Sequence, residues 1–384
     1  MKSKLLKTGI DTLIASSFSD FYVDINEYIK QEGNSLNSRI GETYEISNFK
    51  TILTNPLNRC TISQNRNVNI FFHLAESLWV FTGRNDLEFI SLFNSKFHQY
   101  SDDGQTLYGA YGNRIRNWKS NGLKIDQVLK LTQLLKDSPE SRRTVINIWN
   151  PELDLQSKSK DIPCNTQLVF KIYEDKLNLT IFNRSNDLHF GYVANIFQFS
   201  FMGEIIAFIL NKKYNSQTHI SNSLHVYTNN NLCNTLIKNN IAKTFYKNYP
   251  PSNFSFNFES KSKNEQDQLN ELDASFTDSI ELLIEFSNLK DIELNVIRSK
   301  ITKFKKTSSS LYEIVYLLSI YIYYKNKSQL ENIDELRNKI INILYEDNKT
   351  INFKHKDFYG LALNYFAKRS NKKFDLFEEE MGSY

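Results

Sequence analysis

A chain of 384 residues is too long for one small domain and suits one large domain with an extension. Its 40% hydrophobic and 14% aromatic content argues for a packed globular protein, and a formal charge of +4 is too mild for a nucleic-acid-coating surface. Three cysteines at no metal-ligand spacing (Cys60, Cys164 and Cys233) argue against a disulfide framework and against a zinc site.

Cys60 and Cys233 read as small buried residues. No apolar stretch approaches ~18 residues, so no membrane-spanning helix is expected. The basic start Met1–Lys7 has no apolar core behind it, and a cytoplasmic protein is expected.

In chain order, Ile10, Leu13, Ile14, Phe18, Phe21, Ile25 and Ile29 recur at helical spacing and predict a helix near residues 10–32. Asn34–Gly41 reads as a loop. Val68–Thr82 predicts a strongly apolar helix stopped by Gly83, with Glu76 inside it. Strands are predicted over 143–149, 167–173, 177–182 and 219–227, and a long apolar helix over 195–210. This mixture predicts an α+β fold, a large mixed sheet covered by helices, over residues 1–255.

The character changes at Tyr249-Pro250-Pro251. Residues 253–259 alternate Phe with polar residues, as a short strand does, and Ser260–Glu271 is polar. Residues 256–384 read as a mostly helical extension, with helices near 276–286, 311–324, 333–345 and 357–368. Tyr312, Tyr316, Tyr321, Tyr323 and Tyr324 read as its packing. The acidic end, Glu378–Tyr384, reads as frayed.

The chemistry-bearing residues come in a fixed order. Arg142-Arg143 precede Trp149-Asn150-Pro151, then Pro163-Cys164, Arg184-Ser185-Asn186-Asp187, Gly191, Asn195 and His225-Val226-Tyr227. Such a set suits attack on a pyrimidine. A thiolate added at C6 breaks the conjugation and makes C5 nucleophilic, provided that donors meet the developing oxyanion. Cys164 is the candidate thiol, with Arg184 as the cation beside it. Arg39, Arg142 and Arg143 offer bidentate phosphate contacts, and Ser185 a further donor. The Asn195 amide suits the N3–H and O4 edge of uracil. His225 and Tyr227, two apart, share one face of a strand and suit a sugar hydroxyl. Glu76, desolvated in its helix, would hold a raised pKa and shuttle protons. The other histidines have no ligand spacing, so no metal is expected.

The order and spacing resemble the thymidylate synthase family over roughly residues 10–230. The pieces that carry the likeness are Asn37–Gly41, Glu76 with Leu78-Trp79, Tyr108-Gly109-Ala110-Tyr111-Gly112, Ser141-Arg142-Arg143 and the series that follows it. The resemblance implies transfer of a one-carbon unit to C5 of a uracil nucleotide, dUMP, through a Cys164–C6 adduct. It implies methylenetetrahydrofolate as donor, a role for Asp187 at the pterin, and the Tyr111 hydroxyl near the cysteine. It also implies a homodimer in which Arg142 and Arg143 cross to the partner's site. Related hydroxymethylases let water capture the one-carbon unit; those acting on cytosine carry an acid where this chain has Asn195.

The departures cluster on the folate side. Asn165 stands where the family has His, Asp161 replaces an apolar residue, and Val193-Ala194 replace Pro-Phe. Asn222-Ser223 replace part of a Gly-Gly-Asp, and the stacking tryptophan aligns only with Phe97 or His98. The alternatives are therefore a pyrimidine nucleotide hydroxymethylase, or a non-catalytic nucleotide-binding relative whose C-terminal region engages a partner. Each residue also has a plainer reading: Cys164 as a buried thiol, Arg142-Arg143 as a solvated pair, Asp187 as an ion-pair partner, Asn195 as a helix cap.

Overall fold

The computed structural model describes residues 4–6, 11–38, 41–63, 65–120, 122–236, 241–257 and 264–369. The chain divides into two compact units, one of residues 1–66, 80–85 and 100–242, the other of 67–79, 86–99 and 243–384.

The first unit holds the strands: β1 Lys4–Leu6, β2 Thr12–Ala15, β3 Asn34–Asn37, β4 Glu42–Leu53, β5 Trp118–Ser120, β6 Leu123–Ile125, β7 Val145–Asn147, β8 Asn165–Tyr173, β9 Lys176–Asn183, β10 Asn186–Asp187 and β11 Lys213–Tyr227. A single sheet runs β1-β2-β4-β11-β9-β8-β7, with β3 paired to β4 and β10 to β11; β5 and β6 form a separate hairpin. The sheet is mixed, since β11 is antiparallel to β4 and parallel to β9. A parallel pair needs a long crossover. The helix Gly191–Ile209 lies within the one between β9 and β11.

Helix Phe18–Glu32 places Phe18, Phe21, Tyr22, Ile25 and Ile29 on one stripe, at helical spacing. They join Phe49, Tyr192, Ile196, Leu224 and Val226 in one core cluster. Helix Gly191–Ile209 is apolar all round and buried on nearly every side. By length and composition it could cross a membrane, contrary to the expectation that no stretch is long enough, but 89% of it is buried inside the protein. It begins at Gly191 rather than Asn195, so Asn195 lies within the helix and does not cap it.

Other elements also differ from expectation. Thr12–Ala15 is a strand rather than helix, because it pairs in parallel with Lys50–Leu53 and tertiary pairing overrides local periodicity. Asn34–Asn37 is a strand rather than loop; all four residues are exposed, so no apolar alternation announces it. The strand predicted over 143–149 shrinks to β7, and β11 starts at Lys213.

In the second unit, residues 253–257 form no strand, while residues 258–259 lie outside the described residues. Phe254 and Phe256 pack instead on His355 and Phe276. A helix runs from Glu265 rather than Phe276, because Asn264 caps it by accepting the Asp267 N–H at 2.9 Å. Helix Ser309–Lys327 is buried over most of its length, and Tyr321 stacks on Phe71 and Phe93. The terminus 378–384 lies outside the described residues.

Candidate active site

Cys164 immediately precedes β8. The register of β8 on β9 shifts between Asn165 and Gln167, a bulge that turns the strand start. Arg184 immediately follows β9, and its N–H donates to the Cys164 carbonyl at 2.9 Å. Its side chain then clamps the cysteine segment. Nε donates to Pro163 O at 2.9 Å, Nη2 to Ile162 O at 3.0 Å, and Nη2 lies 3.8 Å from Cys164 Sγ.

The Arg184 guanidinium also covers the Trp149 ring, 5.6 Å from its centroid. Trp149 is held by the turn behind it. Asn150 caps the short helix Pro151–Asp154, and Asp154 takes the fork of Arg114 at 2.7 and 2.9 Å. So the Trp-Asn-Pro motif serves the cysteine indirectly, by seating the arginine.

The arginine does not lower the thiol pKa overall. Burial pushes the Cys164 thiol up, Arg184 opposes this only in part, and Asp161 and Asp187 push it further up. The free thiol is therefore protonated, with a cation beside it on which negative charge can form.

Tyr108–Gly112 packs against the same segment. Gly109 N–H donates to Asp161 Oδ2 at 2.8 Å, and a Cβ on Gly109 would stand 2.6 Å from the Asp161 carbonyl. Gly112 lies against the Val80 backbone, where a Cβ would meet Val80 O at 2.4 Å. The two glycines let the backbone approach closely and set Tyr111 between them. The Tyr111 ring stacks on Phe199, and its hydroxyl interacts with the Cys164 backbone and the Asn165 side chain. Burial raises its pKa, and the charges of Cys164 and Asp161 add to this.

The sugar-side candidates gather at the end of β11. Asp187 and His225 are register partners of β10 and β11. His225 and Tyr227 face each other edge to face at 5.4 Å, as their two-residue spacing requires. Burial raises the Asp187 carboxyl pKa and lowers that of His225, and each partly offsets the shift of the other. Asp187 also accepts the His189 N–H at 2.9 Å. Tyr227 interacts with Ser38. Ser38 in turn closes a turn onto Gly41, whose φ of +151° suits glycine. Arg39, between those two residues, lies outside the described residues. Ser185 is half-buried between Arg184 and β10.

Arg142 and Arg143 are exposed. In the β7–β8 register Asn147 meets Gln167 and Val145 meets Val169, so the arginines continue toward Lys171, away from Cys164. At ~3.3 Å per residue they stand roughly 20 Å from the cysteine within their own chain. Glu76 belongs to the other unit. It is buried in helix Ile70–Phe81, its Oε2 has no hydrogen-bond partner, and burial alone raises its pKa to about 8. Among the described residues no group of three or more His, Cys, Asp or Glu side chains could hold a metal ion.

A match to the thymidylate synthase family spans residues 20–297. The chain belongs to the thymidylate synthase family. Within it, the chain is similar to phage proteins named deoxyuridylate hydroxymethyltransferase. It is 38% identical to that of Bacillus phage SP01 over 56% of this chain and 58% of the relative. It is 38% identical to that of Pseudomonas phage M6 over 51% and 56%, and 33% identical to that of Delftia phage PhiW-14 over 46% and 51%. The chain thus spans little more than half the length of the curated relatives it matches. The large mixed sheet with its helical cover is consistent with the thymidylate synthase fold.

Sequence reasoning missed two features of this family member's site. One is Trp149 as the seat of Arg184. The other is Gln198, which donates to Asn195 Oδ1 at 2.8 Å. A glutamine three residues after the asparagine in an otherwise apolar helix was the available signal.

Proposed function

We propose that this chain transfers a one-carbon unit to C5 of deoxyuridylate and releases a hydroxymethyl product. The observation that carries the transferase reading is the Arg184 clamp, which fixes residues 162–164 and sets a cation 3.8 Å from the Cys164 sulfur. The hydroxymethyl outcome is favoured by the names of the relatives and by the altered residues Asp161, Asn165 and Ala194.

In this reading the sulfur adds to C6, charge moves onto O4, and C5 becomes the nucleophile. Arg184 stabilises the sulfur as its proton leaves to water, and Asn195 meets N3–H and O4; once C5 has taken the one-carbon unit and lost its own proton, water adds to that carbon and the S–C6 bond breaks to free the product and restore the ring. Tyr111 orders the region around the adduct. His225 and Tyr227 face the deoxyribose. Arg39, Arg184, Ser185 and, from a second copy in a homodimer, Arg142 and Arg143 grip the phosphate. The distance of that pair from its own Cys164 supports the crossing. Glu76 moves protons to and from the ring. Asp187 fits a pterin N–H, since the His189 main chain holds its carboxylate in one orientation. Methylenetetrahydrofolate supplies the one-carbon unit when bound.

Intact mass of the protein with 5-fluoro-dUMP and methylenetetrahydrofolate tests the adduct: wild type gains a covalent species and Cys164→Ser does not. An unmodified wild-type mass at saturation would move the reading to a nucleotide binder without catalysis. Product mass then separates hydroxymethyl from methyl by one oxygen.

A further inference from the structure

Asn195 and Gln198 lie three residues apart on helix Gly191–Ile209, so their side chains meet on one face. Both are 3% exposed. Gln198 Nε2 donates to Asn195 Oδ1 at 2.8 Å, and the buried Gln198 Oε1 has no hydrogen-bond partner. A primary amide is an acceptor at one end and a double donor at the other, and half a turn exchanges them. We propose that Gln198 fixes the orientation of the Asn195 amide and thereby makes the site select uracil over cytosine.

The inference rests on Asn195 as the reader of the base. Uracil offers a donor at N3 and an acceptor at O4; cytosine offers an acceptor at N3 and a donor at N4. With one lone pair of Oδ1 taken by Gln198, the second remains for N3–H of uracil, and Nδ2 donates to O4. Cytosine requires the reverse. Turning Asn195 to meet it sets Nδ2–H against Nε2–H unless Gln198 turns as well, and that turn carries both Gln198 N–H groups into the buried place where Oε1 now has no partner, so the reversed pair costs more than the original. The asparagine supplies the hydrogen bonds, and the glutamine decides which end supplies which.

The test is calorimetric binding of dUMP and dCMP to the full chain as wild type, Gln198→Met, Gln198→Glu and Asn195→Asp. Methionine keeps the length and removes the donor; glutamate, held neutral by burial as Glu76 is, carries one proton that can sit on either oxygen and so meets either end of the Asn195 amide. The preference for dUMP over dCMP is expected to fall about tenfold in Gln198→Met, mainly because dCMP gains, and to a similar degree in Gln198→Glu. A preference unchanged in both, or an equal loss for both nucleotides, overturns the proposal while Asn195→Asp still shifts the preference. If Asn195→Asp leaves the preference unmoved as well, the base-reading role of Asn195 is what fails. Should the methionine variant not fold, the near-isosteric Gln198→Glu decides the matter by the same ratio.

Discussion

The ends of β9 to β11 and the C-terminal helices differ in how far they satisfy their buried polar groups. At the ends of β9 and β10 and in the chain that follows, Asn183 Oδ1, Asn186 Oδ1, His189 Nε2 and Gln198 Oε1 are buried without a hydrogen-bond partner. In the helices, Glu313 accepts the Lys354 and His355 N–H groups, each at 3.0 Å, and Asp347 takes Arg298 and Tyr316. Buried polar groups left open cost stability unless water or a ligand completes them. The first region leaves several such groups for water or a ligand; the second closes most of its own, with Gln268 Oε1 still open. Glu76 is a further case, a buried acid on an apolar helix outside the first region whose Oε2 has no partner.

Substitutions sharpen this contrast, beginning with the nucleophile. Cys164→Ser is expected to lower kcat/KM by at least about 1,000-fold with thermal stability little changed. A loss of only a few fold in steady-state assays would remove the sulfur from the mechanism. Glu76→Gln is expected to lower kcat about 100-fold while leaving dUMP affinity in place. A change confined to nucleotide affinity would argue that the acid binds rather than relays.

The same residue predicts a pH signature. Its folded pKa is raised to about 8 from an ordinary 4.5 by burial. Below 4.5 both states carry the proton and no stability is lost. As pH rises toward 8 the unfolded chain ionises while the folded carboxyl stays neutral, so stability falls; above 8 the loss is complete. Melting of wild type against Glu76→Gln should therefore diverge in favour of the variant between pH 5 and 8, by a few kcal/mol at most. Parallel curves would place the Glu76 carboxyl in contact with water. The smallest effect is expected in the self-contained region. Tyr316→Phe removes the hydrogen bond to Asp347 and should cost about 1–2 kcal/mol in denaturant melts, with kcat untouched. A fall in kcat would tie the helices to catalysis and undo the contrast.

Much of this was legible along the chain. The apolar helices near 68–82 and 195–210 and the strands near 167–173 and 177–182 follow from periodicity and residue type, which are local. The strands at 12–15 and 34–37 escaped it, since one carries a helix-like pattern and the other is exposed throughout. Their signal lies in β4, close by for 34–37 but more than thirty residues on for 12–15. The site divides similarly. The two-residue spacing of His225 and Tyr227 fixed their common face in advance, and the three-residue spacing of Asn195 and Gln198 carried a local signal, but nothing local announced that Trp149 seats Arg184.

The residue types and their order alone determined the chemistry this chain carries, because a thiol, a guanidinium, an amide and a carboxyl keep their reactivity wherever the chain takes them. Tertiary structure decided their state. Burial holds the thiol neutral although Arg184 is beside it, a β-bulge turns the strand that follows it, and a buried glutamine sets the amide. Desolvation and orientation depend on what surrounds a group in space, whether that neighbour is three residues away, as Gln198 is from Asn195, or far along the chain, as Trp149 is from Arg184.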